Sequence, residues 1–187
     1  MKVIIVCTIV LMLVLPLTAQ TDKERKIWLS GGMGYGTCGQ GGRDSQGGGF
    51  LQGILQDKSI TYSTHYLGFV NYNPIQISVW NTNEEISREI KRGHIIGIQL
   101  GLMPEAKAFR MACAAGVSCN RFYQGTELYP DEWKAPYKWK TTIGFPLSLD
   151  LILGVGGGVK VSAYYNYNAI APVFMMEAGF WVSLNKQ

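Results

Sequence analysis

The chain has 187 residues, 47% of them hydrophobic and only 16% charged, with a formal net charge of +4 and 23 glycines. Soluble domains carry roughly 25% charged residues. The basic residues here are scattered (Lys23, Arg25, Lys26, the Lys91-Arg92 pair), so composition argues against nucleic acid or another polyanion as partner. No apolar run after residue 19 approaches the roughly 18 residues of a membrane-spanning helix, so a membrane form of this chain crosses as strands.

Residues 1–19 read as a secretory signal peptide. Lys2 supplies the positive region, Val3 to Leu17 is apolar apart from Thr8 and Pro16, and Leu17-Thr18-Ala19 ends in a small residue suited to cleavage. The run is short for a membrane anchor. Cys7 lies inside it with no small-residue lipobox before it, which argues against a lipoprotein. Residues 20–187 are then the mature domain, opening on a short polar leader from Gln20 to Lys26.

The first strand is expected over Ile27–Gly36. Ile27, Leu29, Gly31, Met33 and Tyr35 share one face, and Trp28, Ser30, Gly32, Gly34 and Gly36 the other, because successive strand side chains point to opposite sides. A Gly-rich loop, Thr37 to Gly47, follows. No lysine-serine pair or helix comes after its glycines, so it is not a phosphate-binding loop.

A second strand is expected over Gly48–Gln56, with Leu51, Gly53 and Leu55 outward and Phe50, Gln52, Ile54 and Gln56 inward; Asp57-Lys58-Ser59 is a tight turn. A third spans about Ile60–Tyr72, with Ile60, Tyr62, Tyr66 and Val70 opposite Ser63, His65 and Phe69. Asn73 to Glu89 reads as a long loop with some strand. The fourth strand, Gly93–Leu102, turns His94, Ile96, Ile98, Leu100 and Leu102 outward and Ile95, Gly97, Gln99 and Gly101 inward. Met103 to Lys107 is a short turn.

The fifth strand, Ala108–Arg121, puts Phe109, Met111, Cys113, Ala115, Val117 and Cys119 outward and Arg110, Ala112, Ala114, Gly116, Ser118 and Asn120 inward. Phe122 to Trp139 is polar and aromatic, holds Pro130 and Pro136, and reads as a loop. The sixth strand then shows the clearest alternation: Ile143, Phe145, Leu147, Leu149, Leu151 and Leu153 against Thr142, Gly144, Pro146, Ser148, Asp150 and Ile152. Beyond Gly154, Gly156, Gly157 and Gly158, Val159, Val161, Ala163, Tyr165 and Tyr167 alternate with Lys160, Ser162, Tyr164 and Asn166. Ala169 to Pro172 joins this to the last strand, where Phe174, Met176, Ala178, Phe180, Val182 and Leu184 oppose Met175, Glu177, Gly179, Trp181 and Ser183.

Three full charges, Asp150, Lys160 and Glu177, thus stand opposite columns of large apolar residues. A soluble barrel would hide those columns inside, and a secreted ligand carrier of that kind places its charges on the perimeter. Lipid reverses the arrangement. The expected fold is all-β: a single eight-stranded antiparallel up-and-down transmembrane β-barrel. Its first, third and fifth connections are long and its second, fourth and sixth short; the seventh is short where a long one is expected. Trp28, Tyr35, Tyr66, Tyr165, Tyr167 and Trp181 fall towards strand ends and are assigned to interfacial girdles. Pro146 costs one ladder hydrogen bond in a barrel without edges, but the aliphatic column keeps its phase across it, so no bulge is needed.

The chain resembles the small outer-membrane β-barrel proteins of Gram-negative bacteria, the porin-like eight-stranded family. The resemblance rests on the Gly/aromatic stretch Trp28 to Gly36, on Thr142-Ile143-Gly144-Phe145-Pro146-Leu147, and on the closing strand Phe174 to Leu184. It implies location in the outer membrane, contact with membrane lipids including lipopolysaccharide, and handling by the outer-membrane assembly machinery. Members commonly end on an aromatic residue that this machinery reads, whereas this chain ends Asn185-Lys186-Gln187.

An eight-stranded barrel leaves an interior that side chains can fill. Arg110, Asp150, Lys160, Glu177, Gln52 and Gln99 are expected to meet there as an ion-pair network, since isolated charges would be very costly. Ile143, Phe145, Leu147, Leu149, Leu151, Phe174, Met176, Phe180 and Val182 are expected to face lipid. The function expected is a structural or binding barrel acting through its loops, on a ligand or protein the sequence does not identify. The alternative is a narrow channel or a lipid A-modifying enzyme. Ser63 and His65 share the inner face, so they form no lipid-facing catalytic trio with an acid. His94, with Lys91 and Arg92, reads as an interfacial cluster near lipopolysaccharide phosphates. Cys113 and Cys119 lie six apart on one strand, about 20 Å, too far to bridge. With Cys38 in a loop and no histidine near, neither a disulfide framework, a metal site nor a cofactor is expected.

Overall fold

The computed structural model describes residues 25–39, 44–71, 90–104, 108–125 and 137–184. The expected signal peptide 1–19, the loop from Asn73 to Glu89, the centres of the loops after Cys38 and Gly125, and the tail Asn185 to Gln187 lie outside those residues. Eight antiparallel strands close into one barrel in sequence order, β1 against β8. They are β1 Arg25–Cys38, β2 Asp44–Asp57, β3 Ile60–Asn71, β4 Ile90–Leu102, β5 Phe109–Gly125, β6 Tyr137–Gly154, β7 Gly157–Asn168 and β8 Val173–Ser183.

The expected strands are all present, and most run further than periodicity alone indicated. The largest extension lies in Phe122 to Trp139: Phe122–Gly125 pairs with Tyr137–Lys140 instead of forming loop. Tyrosine, tryptophan and phenylalanine are good strand residues, and pairing across two facing strands overrides the polar flanks. The ends of the Thr37–Gly47 loop are likewise strand, with Cys38 opposite Asp44.

At Lys91 the β4–β5 register slips between Ile90 and Arg92, a β-bulge. The extra residue flips the phase. Ile90 and Gly93 both turn inward while Arg92, between them, is exposed.

Pro146 sits where the sequence placed it. Register with β5 is the same on either side of it, from Ala115↔Leu147 to Ser118↔Gly144, although the two intervening pairs are not made. On its other side Pro146 still pairs with Asn166. The break is local and no side chain changes face.

At one end the connections are tight. Lys58 takes a positive φ in the β2–β3 turn, and Gly154 and Gly156 do so between β6 and β7. A Cβ on Gly154 would collide with the Gly157 carbonyl, so this turn depends on glycine. At the other end the β7–β8 connection is held by Asn168, whose Oδ1 accepts from Ile170 N and Ala171 N at 3.1 and 2.9 Å. That local bonding explains why a short connection suffices where a long one was expected.

Gly144 is a third demanding position. Its backbone lies beneath a cluster in which Asn166 Nδ2 donates to Ser118 Oγ at 2.8 Å and to Asn120 Oδ1 at 3.2 Å. A Cβ there would overlap the Asn120 amide and the Asn166 oxygen. Gly144→Val is expected to lower stability by about 1–3 kcal/mol through overpacking, and more if the amide bridge is lost. Urea unfolding of the refolded barrel in detergent measures it; an unchanged midpoint would mean the cluster can move aside.

Candidate functional site

The alternation sorts the barrel into two chemistries. Ile143, Phe145, Leu147, Leu149, Leu151, Phe174, Met176, Phe180 and Val182 all lie on the outer surface, reaching 69% exposure at Ile143 and 75% at Phe180. On β5 and β6 the outward apolar columns run from Phe109 to Cys119 and from Ile143 to Leu153, matching the roughly 9–11 residues with which a tilted strand crosses a bilayer. Asp150, Lys160 and Glu177 are 3%, 1% and 1% exposed, inside.

The interior is layered, which periodicity did not reveal. Near the long-connection end Cys38, Phe69, Ile90, Phe122, Tyr164, Val173 and Met175 belong to one apolar cluster. Near the short-turn end Trp28, Ile54, Met103, Ala112, Ile152 and Trp181 form another. Polar side chains occupy the level between them.

In that middle level Lys160 Nζ lies 3.2 Å from Asp150 Oδ2 and donates a short hydrogen bond to Gln52 Oε1. Gln52 Oε1 also accepts from Ser30 Oγ at 3.3 Å. The Lys160 ammonium stands 5.3 Å from the centre of the Phe50 ring. β2 is thus tied across the lumen to the neighbouring strands β6 and β7 through one cation.

Glu177 takes a different partner: His65 Nε2 lies 3.2 Å from its Oε1. Neither atom has hydrogen-bond alignment, so the contact is electrostatic rather than a directed bond. His65 is fixed edge-on against Tyr164 at 4.5 Å and Phe50 at 5.9 Å. The inward direction of His65 was readable in the sequence; its pairing with Glu177 was not.

The remaining expected members divide. Gln99 faces the same interior, and neither atom of its amide has a hydrogen-bond partner among the described residues. Arg110 lies in the lower cluster, its guanidinium 4.5 Å above Trp28 and 5.7 Å from Trp181. Of the six residues, Lys160, Asp150 and Gln52 come together, and Arg110 lies over the two indoles.

Those indoles correct the girdle assignment. Trp28 and Trp181 are buried inside, 4.5 Å apart, and Trp181 Nε1 donates to Leu153 O at 2.9 Å. Their phase had placed them inward; position near strand ends was the misleading cue. Tyr35, Tyr165 and Tyr167 are exposed on the outer surface. Met103, expected in a turn, is also buried there, its carbonyl accepting from Gln56 Nε2 at 3.3 Å.

Ser63 and His65 both face the interior, with the Ser63 hydroxyl unpartnered. Among the described residues none of the cysteines is in a disulfide; Cys113 and Cys119 are exposed and Cys38 is buried. Among the described residues no group of three His, Cys, Asp or Glu side chains is placed to hold a metal.

A closed ladder with apolar residues outside and paired charges within is the construction of an outer-membrane β-barrel. The closed eight-stranded form is the fold of the small barrels of that class. No family model matches the sequence, and no curated protein matches it. Solved structures do. The crystal structure of Neisserial surface protein A (NspA) superposes with a TM-score of 0.62 at 12% identity, over 83% of this chain and 96% of that one. Ail, the attachment invasion locus protein of Yersinia pestis, gives 0.56 at 10% identity, over 86% and 99%. Ail in complex with the heparin analogue sucrose octasulfate gives 0.58 at 8% identity over the same shares. At such identities the likeness is one of fold.

The layered interior makes a stability prediction. Lys160→Met leaves the Asp150 carboxylate buried without its cation and is expected to cost about 3–5 kcal/mol; Lys160→Met with Asp150→Leu is expected to recover most of it. Detergent-based unfolding of the two variants checks this. A double variant no better than the single one would mean the ion pair is not the coupling element.

Proposed function

We propose that this chain serves in the outer membrane as a closed, non-conducting barrel, a membrane-seated scaffold whose long connections form the binding surface. The observation that carries the reading is the interior. Two apolar clusters lie above and below a polar level in which Lys160 pairs with Asp150 and His65 stands against Glu177. An ion crossing such a lumen would have to break those pairs and displace the Trp28–Trp181 contact, both costly in a low-dielectric space.

The same geometry speaks for a non-catalytic role. The Ser63–His65 pair lies inside, where the ester bonds of a lipid cannot reach it, which supports the scaffold over the lipid A-modifying reading. The partners that follow are outer-leaflet lipids, including lipopolysaccharide, against the outer wall, and the assembly machinery that closes the barrel in the membrane.

Two measurements test this. The unboiled protein is expected to migrate differently from the heated one in a gel, and the purified barrel in planar bilayers is expected to show no unitary current steps. Trp28→Ala with Trp181→Ala and Met103→Ala, which removes most of the lower cluster, is expected to introduce such steps. Reproducible conductance from the unmodified protein would favour the channel reading instead.

A further inference from the structure

The outer wall at the long-connection end carries one patch unlike the apolar belt below it. Tyr66 of β3, Arg92 and His94 of β4, Arg121 and Tyr123 of β5 and Trp139 of β6 share it. The His94 ring stacks between Tyr66 and Trp139, with centroids 6.2 and 5.7 Å away. Tyr66 Oη and His94 Nδ1 are hydrogen-bonded at 2.9 Å. The Arg92 guanidinium lies 4.6 Å from the centre of Tyr123 and 5.4 Å from that of Trp139. The Arg121 guanidinium lies 4.7 Å from the same indole. Two cations are thus held on one tryptophan, with Arg92 facing outward in phase with His94 and Ile96.

Two features select a partner. The first is charge. The carboxylates whose side chains are described are Asp57, in a contact with Arg25 at the opposite end, and Asp150 and Glu177, inside the barrel. None of these reaches Arg92 or Arg121. A guanidinium lying flat on an aromatic face keeps its in-plane N–H donors for an anion, and their fork suits phosphate. The second is continuity. Directly below, on the same three strands, run the outward apolar columns Ile96–Leu102, Phe109–Cys119 and Ile143–Leu153. A ligand that satisfies both has an anionic head joined to acyl chains.

We propose that Arg92 and Arg121, braced on Trp139, bind a phosphate of a phosphorylated glycolipid of the outer leaflet, whose acyl chains lie along β4 to β6. The proposal rests on the membrane-barrel reading above and adds to it a specific site on one side of the barrel.

The test is native mass spectrometry of the refolded barrel in detergent micelles, titrated with bis-phosphorylated lipid A and with the same lipid after removal of its phosphates. The wild type is expected to bind the phosphorylated form about tenfold more tightly. Arg92→Ala with Arg121→Ala is expected to abolish that preference, while Arg92→Lys with Arg121→Lys keeps part of it. Lys58→Ala, in a turn at the opposite end, is expected to change nothing. Equal binding of the two lipids by the wild type, an undiminished preference in the double alanine variant, or displacement of the lipid by an equal concentration of inorganic phosphate would overturn the proposal. Heat-dependent migration, recorded on the same samples, separates the two readings. Folded barrels without lipid preference sink the site alone, whereas a wild type that never shows the shift sinks both.

Discussion

Closure is the constraint from which the rest follows. In a ring of eight strands each strand has two hydrogen-bonded neighbours, β1 pairing with both β2 and β8. Such a ring leaves no free edge, and within hydrocarbon only a helix or a closed ladder can satisfy every backbone amide. Once the backbone is satisfied internally, side-chain phase decides which solvent each surface suits. That is why Leu147, Leu149 and Leu151 outside and Asp150 inside carry so much of the interpretation.

Eight strands also make a narrow interior, and its contents must satisfy one another. Between the two apolar clusters the surroundings are less polar than water, which strengthens the pull between Lys160 and Asp150 and equally raises the cost of separating them. Placing His65 opposite Glu177 and Lys160 against Gln52 links β3 to β8 and β7 to β2 across the lumen, while Asp150 holds Lys160 from the neighbouring strand β6. Such cross-lumen contacts fix the barrel's interior in a way that outward packing against fluid lipid cannot.

Much of this was legible in the chain itself, because a period of two is a strong signal when one face meets lipid. The faces of all eight strands read correctly, even across Pro146, where only a local gap in the ladder marks the missing amide donor. Three things were not legible. Phase says in or out but nothing of height, so it could not show that Arg110 lies against Trp28 and Trp181 while Lys160 meets Asp150. The bulge at Lys91 breaks the period beyond Arg92, so that Ile90 turns inward against its phase, and a bulge has no signature in a single sequence. Strand ends rich in polar and aromatic residues, such as Tyr137 to Trp139, resemble loops until their partner strand is known. Trp28 and Trp181 follow the phase of their own strands inward, not the habit of tryptophan to sit at interfaces.

The central claim is that the outward columns sit in acyl chains, and two native residues report on it. Cys113 and Cys119 are exposed within the column that runs from Phe109 to Cys119. With the barrel reconstituted in lipid vesicles, nitroxide labels on these cysteines should show collision with dissolved oxygen far exceeding that with a water-soluble nickel chelate. The reverse ratio at both positions would mean that this surface faces water, and the membrane barrel would have to be abandoned.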